Sequence, residues 1–111
     1  MKARPDTANK DKLCILTLDD EPSIREVYRL GLTQAGHEVV PAATGREALQ
    51  LMMQHRFDVL IVDIRMREMS GIVFLQEALK IWPWVGVVIV SGHITTSVTE
   101  QARALGVTRV M

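Results

Sequence analysis

Short, mostly apolar blocks alternate along this chain with longer segments whose apolar positions recur every three to four residues. The blocks lie at residues 13–18, 38–42, 59–62, 87–90 and 107–111. Such blocks of four to six residues, bounded by turn formers, suit strands. Continuous rather than alternating apolarity, as in Val59-Leu60-Ile61-Val62, suits a central parallel strand covered on both faces. After the first block Pro22 opens a helical segment with Ile24, Val27, Leu30 and Ala35 on one face, closed by Gly36. Thr44 with Glu47 three residues later forms a capping box, and Ala48, Leu49, Leu51, Met52 and Met53 give the helix behind it a broad apolar surface. A third helix is predicted over 72–81, stopped near Pro83, and a weaker fourth over 96–105, ahead of Gly106.

Strands and helices in strict alternation predict an α/β fold, a parallel sheet between two helical layers. Residues 1–11 read as a flexible leader and residues 12–111 as one domain. The fifth apolar block has no helix after it, so the expected domain is C-terminally truncated after its fifth strand, with the final helix missing.

Composition narrows the classes. A chain of 111 residues, 48% hydrophobic and 23% charged, supports one globular core rather than disorder. Thirteen basic residues balance thirteen acidic ones, which leaves no electrostatic footprint for nucleic acid or an anionic membrane. No apolar run approaches the roughly 18 residues of a bilayer span, and the polar N-terminus lacks the apolar core of a secretion signal. The lone Cys14 has apolar neighbours and reads as a packing residue. These features fit a cytoplasmic protein. Nucleotide binding is not expected, because no glycine-rich phosphate loop occurs.

The candidate chemistry sits where the apolar blocks end. Asp19 and Asp20 follow the first, Asp63 the third and Ser91 the fourth. In an open parallel sheet, ligands bind outside the carboxyl ends of the strands, where strand order reverses. Were the strands to take the flavodoxin-like order 2-1-3-4-5, an order that the residues alone do not fix, the first and third would be neighbours and the three aspartates would converge. Three ionised carboxylates at about 4 Å repel by roughly 4 kcal/mol per pair at an effective dielectric near 20. Such a set calls for a hard cation; Mg²⁺ takes carboxylate oxygens and completes its shell with water and phosphate oxygens. A carboxylate can itself be the nucleophile that forms an aspartyl phosphate, and Asp63, after the most apolar strand, is the candidate. Singly, Asp19-Asp20-Glu21-Pro22 reads equally well as a helix cap, Asp63 as a loop residue and Ser91-Gly92 as a turn. Their shared sheet end favours the site.

The ordered set Asp19-Asp20-Glu21-Pro22, Val62-Asp63-Ile64-Arg65-Met66, Met69-Ser70-Gly71, Val90-Ser91-Gly92-His93 and Ala104-Leu105-Gly106-Val107 resembles the response regulator receiver domain of two-component systems. The resemblance covers about residues 12–111. It implies a flavodoxin-like (βα)5 three-layer sandwich and a signalling switch rather than an enzyme, with self-catalysed phosphorylation and dephosphorylation as an added property. Asp63 would accept a phosphoryl group from a sensor histidine kinase. Asp19, Asp20, Asp63 and the backbone carbonyl of Arg65 would hold Mg²⁺, with Mn²⁺ as a substitute. Ser91 would be the hydroxyl switch, flanked by Met66, Gly92 and His93. The fourth helix and fifth strand would form the responsive surface and a candidate homodimer contact. Three departures stand out. Arg67 replaces the family's usual proline, Val110 replaces an aromatic switch residue, and the family's lysine would fall about two residues beyond Met111.

Two other functions compete. A pseudo-receiver, an interaction module independent of phosphorylation, is favoured by Val110 and the missing lysine and opposed by the intact aspartates. A Mg²⁺-dependent phosphohydrolase would need a second acid two residues after its nucleophile, where Arg65 stands. His37 and His55 end helices, where a cation suits the dipole. Trp82-Pro83-Trp84 reads as a core edge, and a partner surface there is the alternative.

Overall fold

A computed structural model of the chain describes residues 12–63 and 71–90, together with the backbone of Arg109–Val110. Its elements in order are β1 (Cys14–Leu18), α1 (Pro22–Gln34), β2 (Glu38–Ala42), α2 (Gly45–Gln54), β3 (Val59–Asp63), α3 (Gly71–Ile81) and β4 (Gly86–Val90). The strands form one parallel sheet in the order β2-β1-β3-β4, the flavodoxin-like arrangement. Arg109 and Val110 pair parallel with Val88 and Ile89 at the β4 edge. The remainder of the predicted strand at 107–111 and the helix at 96–105 lie outside the described residues, as does the leader.

Handedness assigns the layers. From β1 the chain steps one way to β2, then back across to β3 and β4. Right-handed crossovers therefore set α1 on one face of the sheet and α2 and α3 on the other. Packing agrees. Leu16 and Leu18, Leu60 and Val62, and Val87 and Ile89 point to the α2/α3 face, where they close a core with Ala48, Met52, Phe74, Leu75 and Ala78. Each of these side chains is almost wholly buried.

The other face departs from expectation. Val59, Ile61, Val88 and Val90 are only half-buried, so the central strands are fully covered on one side alone among the described residues. The reason is the position of α1, which leans on β1 and β2. Its expected core stripe also fails: Ile24, Val27 and Leu30 are exposed, and no residue of α1 is buried. Arg25, Tyr28, Arg29 and Leu32 are the helix's half-buried residues. An amphipathic period reports an apolar stripe, but long side chains with polar tips can cover a sheet just as well.

Both helix ends with a local signal, Gly36 and Thr44, close as that signal predicts. The Gly36 N–H donates to the Thr33 carbonyl and the His37 N–H to the Leu32 carbonyl, with Gly36 at φ +98°. This is a Schellman closure, which needs a residue tolerant of positive φ. Thr44 Oγ1 accepts from the Glu47 N–H at 3.1 Å, while Glu47 Oε1 accepts from the Ala43 N–H at 2.8 Å. The box therefore reaches one residue further back than its usual form.

Candidate metal and phosphoacceptor site

Register brings the carboxylates together. Leu18 pairs with Val62, and the same register carried one residue on sets Asp19 beside Asp63, with Asp20 next in the turn. One carboxylate oxygen from each of Asp19, Asp20 and Asp63 lies within 4.8 Å of the others. The cluster stands at the carboxyl edge of the sheet, where β1 parts the paths to β2 and β3, the crevice expected of doubly wound sheets. Asp19 is 5% exposed, and Asp20 and Asp63 are half-buried.

Asp19 is tied at three points. Its N–H donates to the Ala42 carbonyl at the end of β2 (3.2 Å), its Oδ1 accepts from the Glu21 N–H (2.9 Å), and its carbonyl accepts from Arg25 Nη1 (2.8 Å). The N-cap of α1 is Glu21, whose side chain makes no cap bond, with Pro22 opening the helix. Asp19 and Asp20 thus precede the N-cap rather than serve as it, which disposes of the helix-cap reading.

The electrostatics match the crowding. Burial pushes the Asp19 carboxyl above the usual carboxylate range; the Glu21 N–H opposes this, and the charges of Asp63, Asp20 and Glu21 add to it. Tyr28, one turn into α1 beyond Arg25, has its phenol raised by burial and then by Asp19 and Asp63. A concentrated negative field built from hard oxygen donors fits a divalent cation of the Mg²⁺ type.

The structure thus brings together Asp19, Asp20 and Asp63. Arg65, Met66, Arg67, Ser91, Gly92 and His93 lie outside the described residues, and so does the side chain of Val110. Arg25 and Tyr28 were not anticipated; their signal was the i, i+3 spacing on a helix that begins directly after the aspartates. His37 serves the sheet rather than a site: its Nδ1 accepts from the Leu13 N–H at 3.1 Å, tying the turn after α1 to the start of β1. His55 is the C-cap of α2, its ring 6.3 Å from that of Phe57.

A family model described as the response regulator receiver domain matches residues 15–111. The chain belongs to that family. Among curated relatives, the transcriptional regulatory protein KdpE of Mycobacterium tuberculosis is 37% identical over 92 residues, 83% of this chain and 40% of that protein. The transcriptional regulatory protein GlrR of Escherichia coli is 35% identical over 79 residues, 71% of this chain and 18% of that protein. This receiver chain therefore spans less than half the length of these relatives. Among solved structures, chemotaxis protein CheY4 of Vibrio cholerae superposes with a TM-score of 0.86 at 30% identity, covering 90% of this chain and 85% of that one. Response regulator TrrA of Thermotoga maritima, solved in complex with Mg²⁺-BeF, gives 0.80 at 27% identity, covering 89% and 84%.

Proposed function

We propose that this receiver domain is a phosphorylation switch in which Asp63 accepts a phosphoryl group from a sensor histidine kinase, in a Mg²⁺-dependent reaction held by Asp19, Asp20 and Asp63. The observation that carries the reading is the convergence of the three carboxylates within 4.8 Å. The Mg²⁺-BeF complex of TrrA supports it, since that group is a metal with a phosphoryl mimic.

An Asp63 oxygen would attack phosphorus as the bond to the donor nitrogen breaks, and the released imidazole keeps the electron pair. Mg²⁺, when bound, would offset the charge gathering on the transferring oxygens. Asp19, fixed through its own main chain and the Glu21 N–H, would hold one oxygen ligand steady, and Asp20 a second. The Arg65 carbonyl would complete the protein ligands. The Ser91 hydroxyl would bond the new phosphoryl oxygens, with Met66, Gly92 and His93 flanking the pocket. Mn²⁺ would substitute as another hard dication. In the same reading the Arg109–Val110 pairing is the edge of a fifth strand, completing the order 2-1-3-4-5, and the domain works in the cytoplasm.

The test is incubation with acetyl phosphate or beryllium fluoride, with and without Mg²⁺, followed by intact mass or tryptic mapping. An adduct at residue 63 that needs Mg²⁺ and is lost in Asp63→Asn is expected. A chain carrying the full receiver domain that forms no adduct would instead be an interaction module indifferent to phosphate.

A further inference from the structure

Arg25 occupies a place that helix electrostatics disfavours. It lies in the fourth position of α1, close to the positive end of the helix dipole, where acidic side chains are the stabilising choice. Its Nη1 reaches back past the start of the helix to the Asp19 carbonyl at 2.8 Å, while its own N–H donates to the Glu21 carbonyl at 3.0 Å. The guanidinium thus brackets the turn that carries the aspartates, from the helix that follows it.

The target atom decides what this contact does. A guanidinium on the carboxylate would neutralise Asp19 and compete with a cation. On the carbonyl, it leaves the carboxylate to its bond with the Glu21 N–H. The carbonyl belongs to the peptide joining Asp19 to Asp20, and a peptide is planar. Fixing its oxygen fixes the plane, and with it the place of the Asp20 Cα from which that side chain starts. The Ala42 carbonyl holds the other side of Asp19 at 3.2 Å. Tyr28, half-buried on the same side of the helix, feels the charges of Asp19 and Asp63, which sets this stretch of α1 beside the carboxylates.

We propose that Arg25 is a positioning residue for the divalent cation site: its guanidinium clamps the Asp19–Asp20 peptide so that both carboxylates converge on Asp63. The inference rests on the metal-site reading above. Groups that orient ligands from behind commonly contribute 10- to 100-fold to metal affinity.

The two roles open to an arginine here predict opposite signs. If Arg25 mattered only as a nearby positive charge, its removal would tighten Mg²⁺ binding. As a clamp, its removal weakens binding. Mg²⁺ affinity is measured by titration calorimetry, with Mn²⁺ paramagnetic relaxation as a second probe, on the full chain and on Arg25→Met, Arg25→Lys and Asp19→Asn. Methionine keeps most of the apolar stem, so packing is largely retained; circular dichroism and the melting temperature in EDTA check the fold. Arg25→Met is expected to bind Mg²⁺ about 10-fold more weakly or worse, and Arg25→Lys, which retains a donor, to recover part of the loss. Binding by Arg25→Met that equals or exceeds the unaltered chain overturns the clamp and leaves the metal site standing. Absence of any Mg²⁺ binding lost in Asp19→Asn overturns both.

Discussion

Cys14 and Asp58 are bonded to each other twice: the Cys14 N–H donates to Asp58 Oδ2 at 2.8 Å, and the Asp58 N–H donates to the Cys14 carbonyl at 2.8 Å. The pair ties the first residue of β1 to the residue that precedes β3, and the register it starts runs from Ile15 opposite Val59 to Leu18 opposite Val62. At the far end of that register stand Asp19 and Asp63, so a brace at one edge of the sheet aligns the chemistry at the other.

Loss of this brace should therefore be felt in stability. Asp58→Ala removes a charge-assisted acceptor and strands a part-buried N–H, which costs about 1–3 kcal/mol. Asp58→Asn keeps an acceptor and should cost less. Urea denaturation monitored by circular dichroism is expected to give a lower midpoint in the order Asn, then Ala, with an unchanged slope.

The carboxylate cluster should oppose folding when no metal is present. Two unit charges 4.8 Å apart repel by about 3.5 kcal/mol at an effective dielectric near 20, and water at the half-exposed Asp20 and Asp63 screens this further. The Asp19 carboxyl is held above its ordinary value by burial first, then by its acidic neighbours. Between the unfolded and folded pKa values the folded chain keeps a proton that the unfolded chain has lost. Stability is thus greatest below the unfolded value and falls as pH rises through the folded one. Asp19→Asn should be more stable than the unaltered chain in EDTA at pH 7, with the gap narrowing as the pH is lowered. The same substitution should abolish stabilisation by Mg²⁺ in a thermal melt.

Thr17 breaks an otherwise apolar strand. It is fully buried, and its Oγ1 has no hydrogen-bond partner among the described residues. A hydroxyl in that state costs about 1–3 kcal/mol. Thr17→Val keeps the branched shape and β preference, and should raise the melting temperature by several degrees, at about 4–8 °C per kcal/mol for a domain of this size. A melting temperature equal to or below that of the unaltered chain would show the hydroxyl to be satisfied.

What the chain made legible and what it hid divide along physical lines. Asp19, Asp20 and Asp63 were found because apolar runs stop at them, and Gly36 and Thr44 because helix ends are written within a few residues of themselves. The inward face of α1 was misread: Ile24, Val27 and Leu30 form a true apolar stripe, but which stripe meets the sheet depends on where the crossover sets the helix. Arg25 on the Asp19 carbonyl, His37 on Leu13 and Asp58 on Cys14 were invisible for a related reason. Each is a polar side chain that completes a main-chain bond on another element, and no period in the sequence records the partner.

Trp82 gives a prediction that separates the two ends of the sheet. Its Nε1 donates to the Met52 carbonyl at 2.9 Å, the Arg56 guanidinium lies 5.7 Å from its ring centroid, and Trp84 packs edge-on at 5.4 Å. Trp82 packs against the core while Trp84 is 38% exposed, so the pair is a core edge with one outward ring. Both precede β4 and stand at the amino ends of the strands, whereas the aspartates stand at the carboxyl ends. Four residue steps of β3 at about 3.3 Å put roughly 13 Å of strand between the two ends. Mg²⁺ should therefore leave tryptophan emission nearly unchanged, while unfolding shifts it to the red. Trp82→Phe keeps most of the packing but leaves a carbonyl in the last turn of α2 without its donor, a loss of about 1–3 kcal/mol. The variant should melt lower and bind Mg²⁺ with unaltered affinity; a large change in affinity would mean that the ends of the sheet are coupled through α2 and α3.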